Sequence, residues 1–202
     1  MAETGAQYVE PAVSRAKFEQ ELAEFRDLSA EYHANGWFLL EADFPQILVI
    51  LAAPQLQPPA IITGVLLDYT NYDAEPPSVR LVNPFTREPY RAKELPTRLN
   101  RAVEGQTLNL PGVPGELKMQ GAQPLMQAHD EDDIPFLCIA GVREYHQHPA
   151  HSGDAWELHR PAGAGRLVRL VEVIHTYGIK PLRGYGVNLV PQVGLDYGDP
   201  PA

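Results

Sequence analysis

The stretch from residue 37 to residue 82 constrains this chain most. It holds four short apolar runs separated by turn residues. Trp37 to Glu41, Gln46 to Ala52, Ile61 to Tyr69 and Ser78 to Val82 each read as a strand, rich in Val, Ile, Leu and aromatics. Asp43-Phe-Pro45 is a tight turn between the first two, and a Pro-rich loop over 54–59 precedes the third. Connections this short allow only antiparallel neighbours, so the four runs form a meander. Pro76 and Pro77 stiffen the entry to the fourth strand, because proline cannot sit in a strand's middle.

A meander with one apolar face needs a cover. Ser14 to Tyr32 reads as a helix, with Phe18, Leu22, Phe25 and Tyr32 close to one stripe, stopped by Asn35-Gly36. A second helix runs from Gly165 to Tyr177, with Leu167, Leu170, Val171 and Ile174 as its stripe. Gly178 and Pro181 end it. Between them, residues 83–133 show weak periodicity and end in the acidic run Asp130 to Asp133; mostly loop is expected, with a short helix near 92–103. A loop that long inside a compact domain is usually functional or mobile. The fold class is α+β. The expected organisation is a flexible tail over 1–13, one domain over 14–182 with a Cys/His loop at 134–160, and a Gly/Pro-rich tail over 183–202.

Chemistry concentrates in that loop. Ile134 to Ile139 is apolar and carries Cys138, the only cysteine of the chain, followed by Glu144, His146, His148 and His151. One reading is a metal site. Thiolate, carboxylate and imidazole are all zinc donors, and Cys138, Glu144, His146 and His151 make a set of four. On an extended stretch, His146 and His148 point to one side. The other reading is a nucleophile. An imidazolium from His146 or His148 favours the thiolate of Cys138, with Glu144 or Asp154 to orient the ring. A backbone N–H from Ile139 to Gly141 then serves as oxyanion donor. Against both stands the plainer alternative of a buried small hydrophobe among Phe136, Leu137 and Ile139, beside solvated histidines. Arg143, His159 and Arg160 read best as surface charges, Asp73 and Glu75 as turn residues, Trp37 and Trp156 as core. His33, His129 and His175 stand alone and carry no assigned role.

Net charge is -10, which argues against nucleic acid or an anionic membrane as partner. No run of eighteen apolar residues exists, so no membrane span is expected. The first fifteen residues lack the basic start and apolar core of a secretory signal, and one cysteine makes no intramolecular disulfide, so a cytoplasmic location is expected. Dinucleotide-binding, P-loop, nucleophile-elbow and zincin motifs are all absent from the sequence, which argues against nucleotide use.

The order of elements resembles the ubiquitin-conjugating (UBC) fold: helix, four-stranded meander, long cysteine segment, helix. Tyr72 to Val79, reading Tyr-Asp-Ala-Glu-Pro-Pro-Ser-Val, is similar to that fold's Tyr-Pro-x-x-Pro-Pro-x-Val before its fourth strand. Phe136 to Ile139 is similar to the segment carrying its catalytic cysteine, and Trp156, followed by a proline and a helix, to its Trp-x-Pro element. The likeness covers roughly residues 14–178. The fold's His-Pro-Asn before the cysteine is missing; Asn83-Pro84 lies far upstream and His148-Pro149 after it. Cys138, Glu144, His146 and His151 also resemble the pattern of a bacterial family of metal-binding Cys-Glu-His-His domains from prokaryotic ubiquitin-like conjugation operons. That resemblance implies a ubiquitin-like modifier, a ThiF-like activating enzyme and a JAB-type isopeptidase as partners. It implies either a thioester on Cys138 or a zinc-binding adaptor.

Overall fold

The computed structural model describes residues 6–108 and 117–186. Of the two expected tails, residues 1–5 and 187–202 lie outside the described residues. Helix α1 runs Pro11–Asp27 and begins earlier than expected, because Pro11 at the first turn has no N–H to leave unpaired. Ser14, Phe18, Glu21, Leu22 and Phe25 form its buried stripe. Leu28, at φ -106 and ψ 16, breaks the expected single helix, and α2 follows at Ser29–Ala34. Gly36 then turns at φ +81, where its carbonyl accepts the Ala52 N–H at 2.7 Å. A Cβ at Gly36 would strike Ala52 and Pro54, so only glycine fits.

The meander is present as read, in the order β1-β2-β3-β4 and antiparallel throughout. Its strands are β1 Trp37–Asp43, β2 Gln46–Ala53, β3 Ala60–Asp68 and β4 Ser78–Val82. Gln46 pairs with both Asp43 and Asp68, and Asp68 with Ser78, so the turn ends are flush. Ile47, Val49, Leu51, Val65 and Leu67 face inward, each fully buried, onto Phe18, Leu22 and Phe25. Leu48, Ile50 and Val82 form a smaller cluster on the outer face. Alternation therefore buries residues on both faces of β2, the most central strand.

Residues 83–133 differ from the expected loop and helix. Among the described residues there, a single 3-10 turn, Ala92–Glu94, is helical. Beyond it the chain forms an antiparallel hairpin of β5 Asn100–Leu108 and β6 Leu117–Pro124. Asn100 to Gly105 are exposed except Asn100's neighbour Leu99, which is buried at the hairpin base, so no alternation marked these strands.

The chain then returns to the meander. Short strands β7 Met126–Gln127 and β8 Phe136–Leu137 pair antiparallel, and Leu137 is buried. Helix α3, Arg143–Gln147, follows, then a 3-10 turn at Pro149–His151 and α4 at Trp156–His159. The last helix, α5, runs Leu167–Ile174 and widens into a π-turn at His175–Ile179. Leu167, Leu170, Val171 and Ile174 are all fully buried, as the stripe required. No helix of the described residues is long and apolar enough to cross a membrane.

Candidate cysteine site

Cys138 leaves β8 at the rim of a cavity of about 500 Å³ and is partly exposed. Its own N–H donates to the Leu125 carbonyl at 2.7 Å, and Leu125 in turn donates to Leu99 at 2.8 Å. The thiol is thereby fixed to the base of the β5–β6 hairpin. Val142, four residues on, is fully buried and holds the other end of the loop. Gly141 lies so close to the Ala164 carbonyl that a Cβ there would collide with backbone. The cysteine loop is therefore clamped between the hairpin and the turn entering α5.

Of the expected partners, the structure brings one to the thiol. His151 Nε2 stands 3.4 Å from Cys138 Sγ. Its ring stacks on Tyr145, with centroids 4.0 Å apart. The Tyr145 hydroxyl donates to Asp154 Oδ2, and His159 Nε2 meets Asp154 Oδ1 at 2.6 Å. Asp154 thus anchors the ring system behind His151. Those two bonds hold its carboxyl below the usual carboxylate range, Tyr145 contributing most and His159 next. The same bond, with some burial, pushes the Tyr145 phenol up to about 12, so it stays a donor.

The remaining expected residues lie elsewhere. Residues 143–147 coil into α3, so His146 and His148 are not on an extended stretch with both rings to one side. His146 faces carbonyls with both nitrogens, Nδ1 to Asp154 at 2.8 Å and Nε2 to Ala140 at 2.7 Å. Neither nitrogen is left for a metal or a thiol. His148 stacks on Phe136, centroids 5.0 Å apart, and its Nδ1 accepts the Ala150 N–H at 3.3 Å. Glu144 turns to β4, where Ser78 donates to it and Arg80 pairs with it at 3.1 Å. Cys138, Glu144, His146 and His151 are thus not presented as a zinc ligand set. Among the described residues no group of three or more His, Cys, Asp or Glu is arranged to hold a metal ion.

Arg143 is the residue the sequence placed worst. It is buried, not a surface charge. Its guanidinium donates to the carbonyls of Thr70 and, at 3.2 Å, Pro76, and its N–H donates to Pro77 at 3.0 Å. Trp156 Nε1 donates to the Asp73 carbonyl at 2.9 Å. The turn before β4 therefore serves as a socket for the cysteine segment. Tyr145 and Arg101 were also missed; neither belongs to a residue type the metal or dyad readings sought.

The electrostatics are mixed. Burial pushes the Cys138 thiol up, and the Arg101 guanidinium partly offsets this. Ile139 donates its N–H to Leu137 at 2.9 Å, but no acceptor among the described residues meets the N–H of Ala140 or Gly141. Both residues line the cavity. A larger cleft, about 830 Å³, opens between α2, β1 and α5 and holds none of these groups. Cys138, His151, Tyr145 and His159 converge on the smaller cavity instead.

Residues 9–182, nearly the whole described chain, match the Y4jH family. The chain belongs to the Y4jH-like family. It is 43% identical over 195 residues to the "Uncharacterized protein y4jH" of Sinorhizobium fredii (strain NBRC 101917 / NGR234), with 93% of each chain covered. The match to the Y4jH-like family spans α1, the meander, the cysteine loop and α5, so all elements that build the site fall inside it.

Proposed function

We propose that this Y4jH-like protein is a carrier of a ubiquitin-like modifier, held as a thioester on Cys138. The observation that carries this reading is the thiol at a cavity rim with an imidazole 3.4 Å away, in a cavity also lined by Ala140 and Gly141, whose N–H groups meet no acceptor among the described residues. The element order supports it too. A helix, a four-stranded meander and a cysteine segment returning to the last strand match the ubiquitin-conjugating resemblance.

The step is an acyl exchange. Cys138 Sγ attacks the carbonyl of a modifier bound as a thioester to an activating enzyme. A new C–S bond forms, the old one breaks, and the enzyme's thiol leaves with a proton. His151 Nε2 accepts the Cys138 proton as the bond forms. Ala140 and Gly141 N–H groups stabilise the oxyanion of the tetrahedral intermediate, taking the role that the missing His-Pro-Asn leaves open. Burial pushes the Cys138 thiol up and Arg101 partly offsets this, so attack goes with proton transfer to His151. In this reading His151, rather than His146 or His148, is the base.

A zinc-binding adaptor is the second reading. Cys138 and His151 stand close enough to share an ion, but Glu144 and His146 would have to abandon Ser78, Arg80 and two carbonyls. Elemental analysis of the purified protein decides it, one equivalent of zinc favouring the adaptor.

The carrier reading is tested by intact-mass analysis of the protein isolated from its native cells without added thiol. The expected result is an added mass that excess thiol or hydroxylamine removes by acyl exchange and a phosphine reductant leaves in place, absent from Cys138→Ala. In Cys138→Ser the adduct is expected to persist as an oxygen ester that thiol leaves intact. An adduct retained by Cys138→Ala, or no thiol-labile, phosphine-resistant adduct on the native protein, overturns the reading.

A further inference from the structure

The walls of the Cys138 cavity reverse the sign of the molecule. The chain carries a net charge of -10. Yet among the described residues no Asp or Glu lines the cavity, while Arg101, Arg169, His151 and His159 do. Arg101 stands on β5, where its Nη2 donates to Gln123 Oε1 at 2.6 Å, and Arg169 stands on α5. Gln123, Tyr145 and Tyr177 add polar groups to the same lining. Asp154, which does not line the cavity, has its carboxylate taken by two residues that do, Tyr145 and His159.

A cavity of about 500 Å³ falls within the size range of small-ligand sites. Arg101 and Arg169 line the same cavity, and among the described residues neither pairs with a carboxylate. Their planar forks match carboxylate or phosphate oxygens. Arg101 lies near enough to Cys138 to act on the thiol's charge. An anion between the arginines would therefore sit within reach of the reacting sulfur.

We infer that the Cys138 cavity selects an anionic oxygen group, so that the acyl donor brought to this thiol carries a carboxylate or phosphate beside its reacting carbonyl. This rests on Cys138 as the acyl acceptor. It adds what the site demands of the donor: a charge opposite to the cavity walls and the same as the protein's bulk. The surrounding field repels such a group at long range, and the cavity captures it at short range.

A pair of alkylating probes tests this without any modifier. Iodoacetate and iodoacetamide both form one S–C bond and expel iodide, and they differ by one negative charge. Cys138 is the only cysteine, so intact mass reads its modification alone. The measured quantity is the iodoacetate-to-iodoacetamide rate ratio, taken on the folded chain and on the same chain in concentrated urea. The folded ratio is expected to exceed the unfolded one on the order of tenfold. Added sodium chloride should shrink the excess. Arg101→Gln combined with Arg169→Gln should bring the ratio down to the unfolded value. A folded ratio at or below the unfolded one overturns the inference, as does an excess that survives both salt and the double variant. Acetate and inorganic phosphate, compared at equal ionic strength, separate the two oxyanions by which slows alkylation more. Loss of the preference with the thiol-labile, phosphine-resistant adduct intact removes the anion and leaves the carrier. The reverse removes the carrier and leaves an anion-selective thiol.

Discussion

The two halves of this molecule are held together by different forces. From Pro11 to Val82, apolar side chains at regular spacing do the work. Phe18, Leu22 and Phe25 on α1 meet Ile47, Val49, Leu51, Val65 and Leu67 on the meander, and every one is buried. From Phe136 to His159 the apolar anchors are few, chiefly Leu137, Val142 and Trp156. That half is fastened by polar side chains reaching a distant turn: Arg143 to Thr70 and Pro76, Glu144 to Ser78 and Arg80, Trp156 to Asp73. Hydrophobic packing tolerates small displacements, whereas a hydrogen bond fixes direction. The scaffold half thus supplies stability and the site half supplies orientation. A thiol and an imidazole held 3.4 Å apart need the second kind of fastening.

This contrast is broken most severely in the scaffold. Phe18 is fully buried and packs edge-on against Phe44 and Tyr69, at 5.5 Å and 5.8 Å. Phe18→Ala should cost about 3–5 kcal/mol in denaturant unfolding. Below the transition, the rate at which iodoacetamide modifies Cys138 should stay at the wild-type value. A changed thiol rate in the folded variant would mean the halves are not separable.

Arg143→Ala tests the converse. It strips donors from two carbonyls and leaves them buried, for a loss of about 3 kcal/mol. Unlike Phe18→Ala, it should also speed Cys138 modification while the protein is still folded, because the cysteine loop loses its socket. Thermal melting and thiol kinetics on the same sample read both effects.

Tyr145→Phe is smaller and more local. It keeps the ring stacked on His151 and deletes the hydroxyl bond to Asp154, so stability should change by no more than about 1 kcal/mol. Since that bond is the main cause of Asp154's lowered pKa, its carboxyl should move up toward the ordinary range. Carboxyl-detected NMR titration measures this. An unmoved Asp154 would make His159 the dominant partner.

The smallest effect lies at a seam between the halves. Glu21, on α1, accepts the Leu167 N–H at 2.9 Å and so caps α5, with the Tyr72 hydroxyl at 3.2 Å. Burial raises its pKa, and the bonds to Leu167, Arg166 and Tyr72 only partly offset this. The folded state therefore binds this proton more tightly than the unfolded chain does. The stability it contributes is complete below the unfolded pKa and is lost as pH rises through the folded one. Glu21→Gln, which keeps an acceptor for Leu167, should raise the melting temperature at neutral pH, by at most about 1 kcal/mol. The gain should fade as pH falls to about 4, where glutamate is itself protonated. A gain that persists in acid would mean charge is not its cause.

Legibility follows the same division. The four strands and the α5 stripe stood out because burial of one face imposes a period of two or 3.6 on neighbouring residues. Residues 100–105 escaped because they are exposed in a hairpin whose base is anchored by the buried Leu99 and Leu125. No burial means no period. In the site, the sequence singled out Cys138 and the histidines by type, and one histidine of three reached the thiol. Spacing along the chain could not choose among them, because α3 turns His146 toward two carbonyls and sends His148 to Phe136. Arg143 passed for a surface charge because its partners, the backbone oxygens of Thr70 and Pro76 and the Glu75 carboxylate at 3.5 Å, lie far away in the chain, where local spacing does not announce them.

By itself, then, the sequence determined the α+β class and the meander with its covering helices, and it singled out the one cysteine as the candidate centre, since each depends on local periodicity or on a unique residue. Only the tertiary structure decided that His151 is the thiol's partner, that Glu144 and Arg143 are fasteners, and that Arg101 and Arg169 face one cavity. Those are meetings between segments far apart in the chain, set by where the meander leaves its donors and acceptors, and no local spacing encodes them.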